Sequence, residues 1–241
     1  NKPSLSFEVF PPKTEAAFES VSGAIDKIAG YKPSFMSVTY GAGGGTSSYT
    51  VSIAENIQKN KGVVSLAHLS CISSTKDLVH SQLVKLREAG IENILALRGD
   101  IPEGMDASNL DYHHASDLAA EIRDFGGFCI GGACYPEGHP DSASQNDDIE
   151  NLKKKIDAGC EFLTTQMFFD NDILFNYLYK LRVHGIETTV IPGIMPVTSS
   201  KQIPRITKLS GGCVPPRFKA IAAGFGDHNK AMTQDGIAYA T

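Results

Sequence analysis

The chain has 241 residues, 41% hydrophobic and 20% charged, a composition that excludes a disordered or collagen-like polypeptide and leaves room for one sizeable core. Twenty-two Lys and Arg stand against 27 Asp and Glu, a net charge of −5, so no basic excess meets a nucleic-acid backbone and no nucleic-acid partner is expected. No apolar run approaches the roughly 20 residues that span a bilayer, and Asn1-Lys2-Pro3-Ser4 lacks the apolar stretch of a signal peptide, so no membrane partner is expected either.

Apolar runs rich in Val, Ile, Phe and Thr predict seven strands, at 4–10, 35–41, 63–71, 93–99, 129–136, 162–168 and 188–194. The segments between them carry helical spacing: Val79, Leu83 and Leu86 follow the third strand, and Ile149, Leu152 and Ile156 the fifth. The third helix opens at Ser73-Ser74-Thr75 and closes on Gly90, and the fifth closes on Gly159. After 194 come a helix near 199–210, a break at Pro215-Pro216 and a final helical stretch near 228–241, with no eighth strand. Strand starts recur about every thirty residues, the period of a (β/α)8 barrel. The predicted fold class is therefore α/β, a TIM-type (β/α)8 barrel whose eighth strand is missing from the sequence, with 1–241 forming a single catalytic domain. The last helix reaches Thr241 without a stop signal, so a longer physiological polypeptide is expected.

Cys71, Cys129, Cys134, Cys160 and Cys213 form no C-x-x-C pair and are odd in number, which suits a reducing compartment, the cytoplasm by default. Most lie in apolar runs and are expected to pack as small buried thiols.

In such a barrel the chemistry sits at the C-terminal ends of the strands. Six consecutive predicted strands each bring a polar or ionisable group there: Glu8, Thr39 with Tyr40, His68, Arg98 with Asp100, Tyr135, and Gln166. Taken singly each has a structural reading, with Glu8 paired to Arg98, His68 a satisfied core histidine and Tyr135 a packed ring. Their convergence on one rim points instead to a site.

Several chemistries fall away. No Lys lies within a predicted strand, which argues against a Schiff-base aldolase. His68 and Cys71 point to opposite faces of a strand and no H-E-x-x-H occurs, so no metal is expected. The stretch Gly41-Ala42-Gly43-Gly44-Gly45-Thr46 fails G-x-G-x-x-G at its last position and has no P-loop Lys; it reads as a loop that lets a ligand approach the backbone. On the fifth helix Asp148, Asn151 and Lys155 follow i, i+3, i+7 spacing with Lys154 beside them. This is either a solvated face or a grip for ribose hydroxyls and phosphates.

The strings Ser6-Phe7-Glu8-Val9-Phe10-Pro11-Pro12-Lys13, Ser37-Val38-Thr39-Tyr40-Gly41-Ala42, Ala67-His68-Leu69-Ser70-Cys71, Leu97-Arg98-Gly99-Asp100, Tyr135-Pro136-Glu137-Gly138-His139-Pro140, Thr165-Gln166-Met167-Phe168-Phe169-Asp170 and Pro192-Gly193-Ile194-Met195-Pro196-Val197 together resemble the methylenetetrahydrofolate reductase family, in order from residue 4 to about 200. The resemblance implies a barrel flavoprotein that reduces 5,10-methylenetetrahydrofolate to 5-methyltetrahydrofolate with electrons from NADH or NADPH by way of FAD, in ping-pong order, supplying methyl groups for methionine synthesis. It implies Glu8 as the general acid that opens the imidazolidine ring, with burial among Phe7 and Phe10 raising its pKa. It implies Asp100 beside flavin and pterin, and Gln166 as the amide that orients the pterin. The FAD contacts it implies are Thr39, His68, Arg98, Asp100, Tyr135, Asp148, Asn151, Lys154 and Lys155.

The sequence departs from the family pattern in places. Lys154 stands where an Arg is familiar, which keeps the charge and loses the bidentate fork. No aromatic residue follows Val197 closely enough to stack on a pterin, and Ile206 is expected to offer only aliphatic contact there. With no Arg cluster for a 2′-phosphate, NADH is expected over NADPH. Whether the protein forms a homo-oligomer is left open. A folate reductase paralogue without FAD and a non-catalytic flavin- or folate-binding subunit are the alternative readings.

Overall fold

A computed structural model of the chain describes residues 4–12, 14–40, 47–72, 74–101, 110–210, 212, 214–225 and 228–241. The Gly41–Thr46 loop, Lys13, Ser73 and Cys213, which the sequence reading singles out, lie outside them. Strands β1 (Ser6–Val9), β2 (Phe35–Val38), β3 (Ser65–Ser70), β4 (Asn93–Leu97), β5 (Cys129–Cys134), β6 (Phe162–Thr165) and β7 (Thr189–Ile191) alternate with helices. The helices are α1 (Phe18–Ala29), α2 (Ser47–Glu55), α3 (Lys76–Glu88), α4 (Ala115–Phe125), α5 (Gln145–Asp157), α6 (Asn171–Val183), α7 (Gln202–Ser210), α8 (Pro216–Phe225) and α9 (Asn229–Ala240). The strands run in sheet order β1 to β7, with the described ladders parallel. This is the α/β, TIM-type topology predicted, with seven strands among the described residues. Each strand falls within its predicted range and is shorter, because the predicted ranges include the turns at the rim.

The chain divides into two compact units, 1–132 with 155–161, and 133–154 with 162–241. In the first, alternate residues of β1 to β4 and the inner faces of α1 to α4 make one apolar core around Met36, Val38, Ala67, Leu69, Leu83, Ile94, Leu118 and Ile122. Local signals set its helices. The Thr75 hydroxyl accepts from Leu78 N–H at 3.2 Å to cap α3, Asp77 occupies the first turn, and Lys85 and Arg87 the last. A π-helical turn, Asn56–Asn60, extends α2. Its Gln58 amide donates to Gly90 carbonyl and accepts from Ser65 N–H at 3.1 Å, tying the turn to the start of β3.

The second unit has a different core, in which Phe169, Val197, Ile206, Val214, Phe218 and Met232 gather residues from helices and loops. Phe218 stacks on Phe169 at 6.1 Å and meets Tyr239 at 4.6 Å, and the Tyr239 hydroxyl donates to Phe169 carbonyl at 3.0 Å. Pro216, read from sequence as a break, is the first residue of α8, where its fixed φ and missing N–H cost nothing. Gly236 lets α9 touch the backbone of Val197, since a Cβ there would collide with Val197 carbonyl. Among the described residues no helix is long and apolar enough to cross a membrane.

Candidate active site

Register brings the polar residues of the first unit together. Glu8 pairs with Ser37, and Ser37 with Leu66; His68, two residues further along β3, points to the same face of the sheet. His68 Nε2 thereby lies 4.0 Å from Glu8 Oε2. The imidazole is 6% exposed, and its Nε2 is buried with no hydrogen-bond partner among the described residues. Burial lowers His68 to about 4, so the ring is neutral at pH 7.

Glu8 is positioned differently from expectation. Its side chain is 49% exposed, and Phe10, expected to cover it, lies beyond the end of β1 and is 65% exposed. Desolvation of the carboxylate by the surrounding protein still raises its pKa above the ordinary value.

Thr39 follows β2 directly. Its N–H donates to Val9 carbonyl at 3.0 Å, and its own carbonyl accepts from the Thr50 hydroxyl at 3.0 Å, so β1, β2 and α2 fix its backbone. Arg98 follows β4, half-buried, with Nε donating to Gly99 carbonyl at 3.1 Å. Gly99 has φ +88° and packs so close to the Ser70 hydroxyl that a side chain would collide with it, a conformation and a space that only glycine meets. That turn delivers Asp100 to an exposed position. Cys71, behind the site, has its thiol pushed up to about 12 by burial, so it is no nucleophile.

The second unit carries a separate polar set. Tyr135 follows β5, half-buried, and meets His139 edge-to-face at 4.5 Å, while His139 Nδ1 accepts from Asp141 N–H at 3.1 Å. His139 entered the sequence reading only within a motif; its i+4 spacing from Tyr135 and the turn at Gly138 are the signals that could have singled it out. Ser144 and Asp147 exchange bonds of 2.7 and 3.2 Å at the start of α5. On that helix the predicted single face is split. Asp148 is 7% exposed and its charge bears on the buried Tyr177 hydroxyl, whereas Asn151 and Lys154 are exposed and bonded to each other at 2.9 Å. Lys155 is half-buried and assigned to the first unit. Gln166 follows β6, with Oε1 accepting from Met167 N–H at 3.0 Å, which fixes the amide plane.

Two further features of this unit were not foreseen. Ile206 is 4% exposed within the aromatic core, so it packs and offers no ligand contact; its helical spacing with Ile203 points it inward. A pocket opens beside that core between Phe168, Ile194, Met195 and Tyr239. Among the described residues no group of three His, Cys, Asp or Glu could hold a metal ion, and Cys71, Cys134 and Cys160 are buried.

Within the second unit the groups present fit the sugar and diphosphate of a flavin dinucleotide: the exposed Asn151 and Lys154 pair offers them an amide and a cation.

Comparison with known proteins places these residues in context. In solved structures the chain resembles a Clostridium thermocellum protein described as binding two copies of 5-methyl-5,6,7,8-tetrahydrofolic acid, with TM-score 0.61 and 17% identity over 98% of this chain and 81% of that one. It also resembles the tryptophan synthase α-subunit of Pyrococcus furiosus, with TM-score 0.53 and 12% identity over 98% of this chain and 96% of the other. At such identities these likenesses speak for the fold alone. In sequence it is 35% identical over 253 residues to methylenetetrahydrofolate reductase (NADH) 1 of Arabidopsis thaliana, covering 98% of this chain and 42% of that protein. It is 36% identical over 211 residues to 5,10-methylenetetrahydrofolate reductase of Escherichia coli, covering 88% of this chain and 70% of the other. The chain thus spans less than half the length of the plant relative. The model of the family described as methylenetetrahydrofolate reductase matches residues 1–241, and with the strand-end residues in the order described, the chain belongs to the methylenetetrahydrofolate reductase family.

Proposed function

We propose that this polypeptide reduces 5,10-methylenetetrahydrofolate to 5-methyltetrahydrofolate with electrons from NAD(P)H, NADH by preference, through bound FAD in ping-pong order, as a cytoplasmic enzyme of methionine supply. Residues 1–241 form its catalytic domain in this reading. Membership of the family supports the reaction. The observation that carries it is the carboxyl of Glu8, raised in pKa and set 4.0 Å from a neutral imidazole at the end of β1. A carboxylic acid that holds its proton toward neutral pH is what ring opening needs, because N10 of the folate leaves only when protonated.

The catalytic residues are then Glu8 and Asp100. Glu8 gives its proton to N10, and the resulting N5 iminium is ready for hydride. Asp100, with Gln166, accepts and orients the pterin N–H groups, a task for which the fixed Gln166 amide is suited. Thr39, His68, Arg98, Asp100 and Tyr135 hold the flavin and its ribityl chain. Asp148, Asn151, Lys154 and Lys155 hold ribose and diphosphate. When bound, FAD supplies the two-electron relay between nicotinamide and folate.

An absorbance spectrum of the purified full-length protein, followed by anaerobic NADH and then methylenetetrahydrofolate, tests the reading. A flavin band that bleaches with NADH and returns with folate is expected. Protein that neither carries nor retains FAD would overturn it.

A further inference from the structure

His68 and Glu8 stand together in a way that the roles above leave unused. His68 Nε2 is a buried polar atom with no hydrogen-bond partner among the described residues, a state native proteins seldom keep without a use. The Glu8 carboxyl lies 4.0 Å from it. That separation exceeds a hydrogen bond, and Glu8, with a side chain 49% exposed, is the partner with room to move. A shift of about 1 Å brings an O–H···N bond within range, and catalytic contacts commonly tighten in this way when a site fills.

We propose that His68 is a positioning residue for Glu8: its bare Nε2 accepts the hydrogen bond of the protonated Glu8 carboxyl and holds that proton in place until the substrate takes it. The inference rests on the folate-reducing reading and adds to it the group that keeps the acid loaded. Burial makes the charged form of each group unfavourable, lowering His68 to about 4 and raising Glu8, so an uncharged acid beside an uncharged imidazole is the pairing both prefer. An imidazolium in the same place would hold Glu8 ionised. In the cycle the Glu8 O–H bond breaks as the folate N–H bond forms, leaving a carboxylate. His68 stays neutral with its ring proton on Nδ1, and water reloads Glu8 from its open side.

The other charges around the pair leave this balance intact. On the neighbouring strands β2 and β4 contribute no titratable residue, and Arg98 and Asp100 follow β4. On the helices packed against β1 to β3, Glu19 and Lys27 of α1 are exposed, Asp26 pairs with Lys61, and Glu55 of α2 pairs with Lys59. Burial is the cause of the shift at both Glu8 and His68.

The test is nitrogen and carbon NMR of the full polypeptide as purified, carrying ¹⁵N-labelled histidine and δ-¹³C-labelled glutamate, with signals assigned through Glu8→Gln and His68→Leu. A bare Nε2 whose resonance steps at the pH where the Glu8 carboxyl titrates, a step that vanishes in Glu8→Gln, is expected. A protonated Nε2, or two groups that titrate independently, overturns the pairing. Pre-steady-state kinetics gives a second reading: in FAD-loaded His68→Leu the pH midpoint of folate reduction should fall by about one unit, a shift read from the midpoint whatever the plateau rate. Uniform slowing with an unmoved midpoint would overturn the pairing. Failure of the folate reading would show as no turnover with the common step intact, and failure of the pairing as turnover with independent steps.

Discussion

The two units of the chain solve the same problem with different means. The first builds its core from strand faces and amphipathic helices in strict alternation, so its polar residues fall at strand ends by register: Glu8, Thr39, His68 and Arg98 each sit on or just after a strand whose neighbours fix it. The second relies on aromatic packing between loops and the helices α7 to α9, and its polar residues are set by individual hydrogen bonds, such as Gly193 N–H to the Thr165 hydroxyl at 2.8 Å. A site made by register tolerates sequence change on its outer faces. A site made by single contacts depends on each of them.

The sharpest way to press this comparison is at the acid. Glu8→Gln should slow folate reduction by about 10²- to 10⁴-fold while sparing NAD(P)H oxidation, as stopped-flow of each half-reaction would show. Equal loss of both would remove Glu8 from its folate-specific role. In the parent enzyme folate reduction should be present below the raised pKa of Glu8 and fade as pH rises through it, the direction for an acid that works protonated.

Phe218→Ala removes the ring at the centre of the second core, 1% exposed, and should cost about 3–5 kcal/mol in denaturant unfolding. Hydrogen exchange should show protection lost first in α7 to α9; uniform loss in both units would merge them into one cooperative body.

Acid should act on the first unit through His68. Its folded pKa of about 4 lies below the unfolded 6.5, so between these values the unfolded chain binds more protons. Stability is full above about 6.5 and falls as pH drops toward 4, by up to about 3 kcal/mol, and His68→Leu should flatten that limb in pH-dependent unfolding.

Gly236→Ala separates packing from propensity. Alanine favours a helix over glycine by about 1 kcal/mol, yet the added Cβ meets Val197 carbonyl, so thermal melting should show net destabilisation. A stabilised variant would mean that α9 can move away at little cost. The smallest effect is expected at Lys154→Ala, an exposed cation, which should weaken FAD retention only about two- to fivefold and less so in high salt, as flavin release in titration would read.

Much of this was legible in the residues. Seven strands, the Thr75 cap, and the inward faces of α3 and α5 follow from periodicity and local hydrogen bonding, which act over a few residues and so appear in a linear pattern. The seven motifs carried the family, and the strand ends carried the candidates. Pro216 misled because a proline that ends one segment can equally open the next, and only the fold says which. Ile206 misled because its neighbours in space, Val197 and Phe218, are not its neighbours in sequence. The α5 face divided for the same reason: helical spacing aligns Asp148 and Asn151, while Tyr177, whose hydroxyl feels the Asp148 charge, comes from elsewhere in the chain.

The sequence by itself therefore determined the order of strands and helices, the family, and which side chains could do chemistry, because each depends on contacts between near residues or on residue identity. Tertiary structure alone decided that His68 is buried, neutral and 4.0 Å from Glu8, that Glu8 keeps half its surface open, and that Asp148 turns inward. Those are matters of desolvation and distance, set by strand register and by atoms that the chain brings together only on folding.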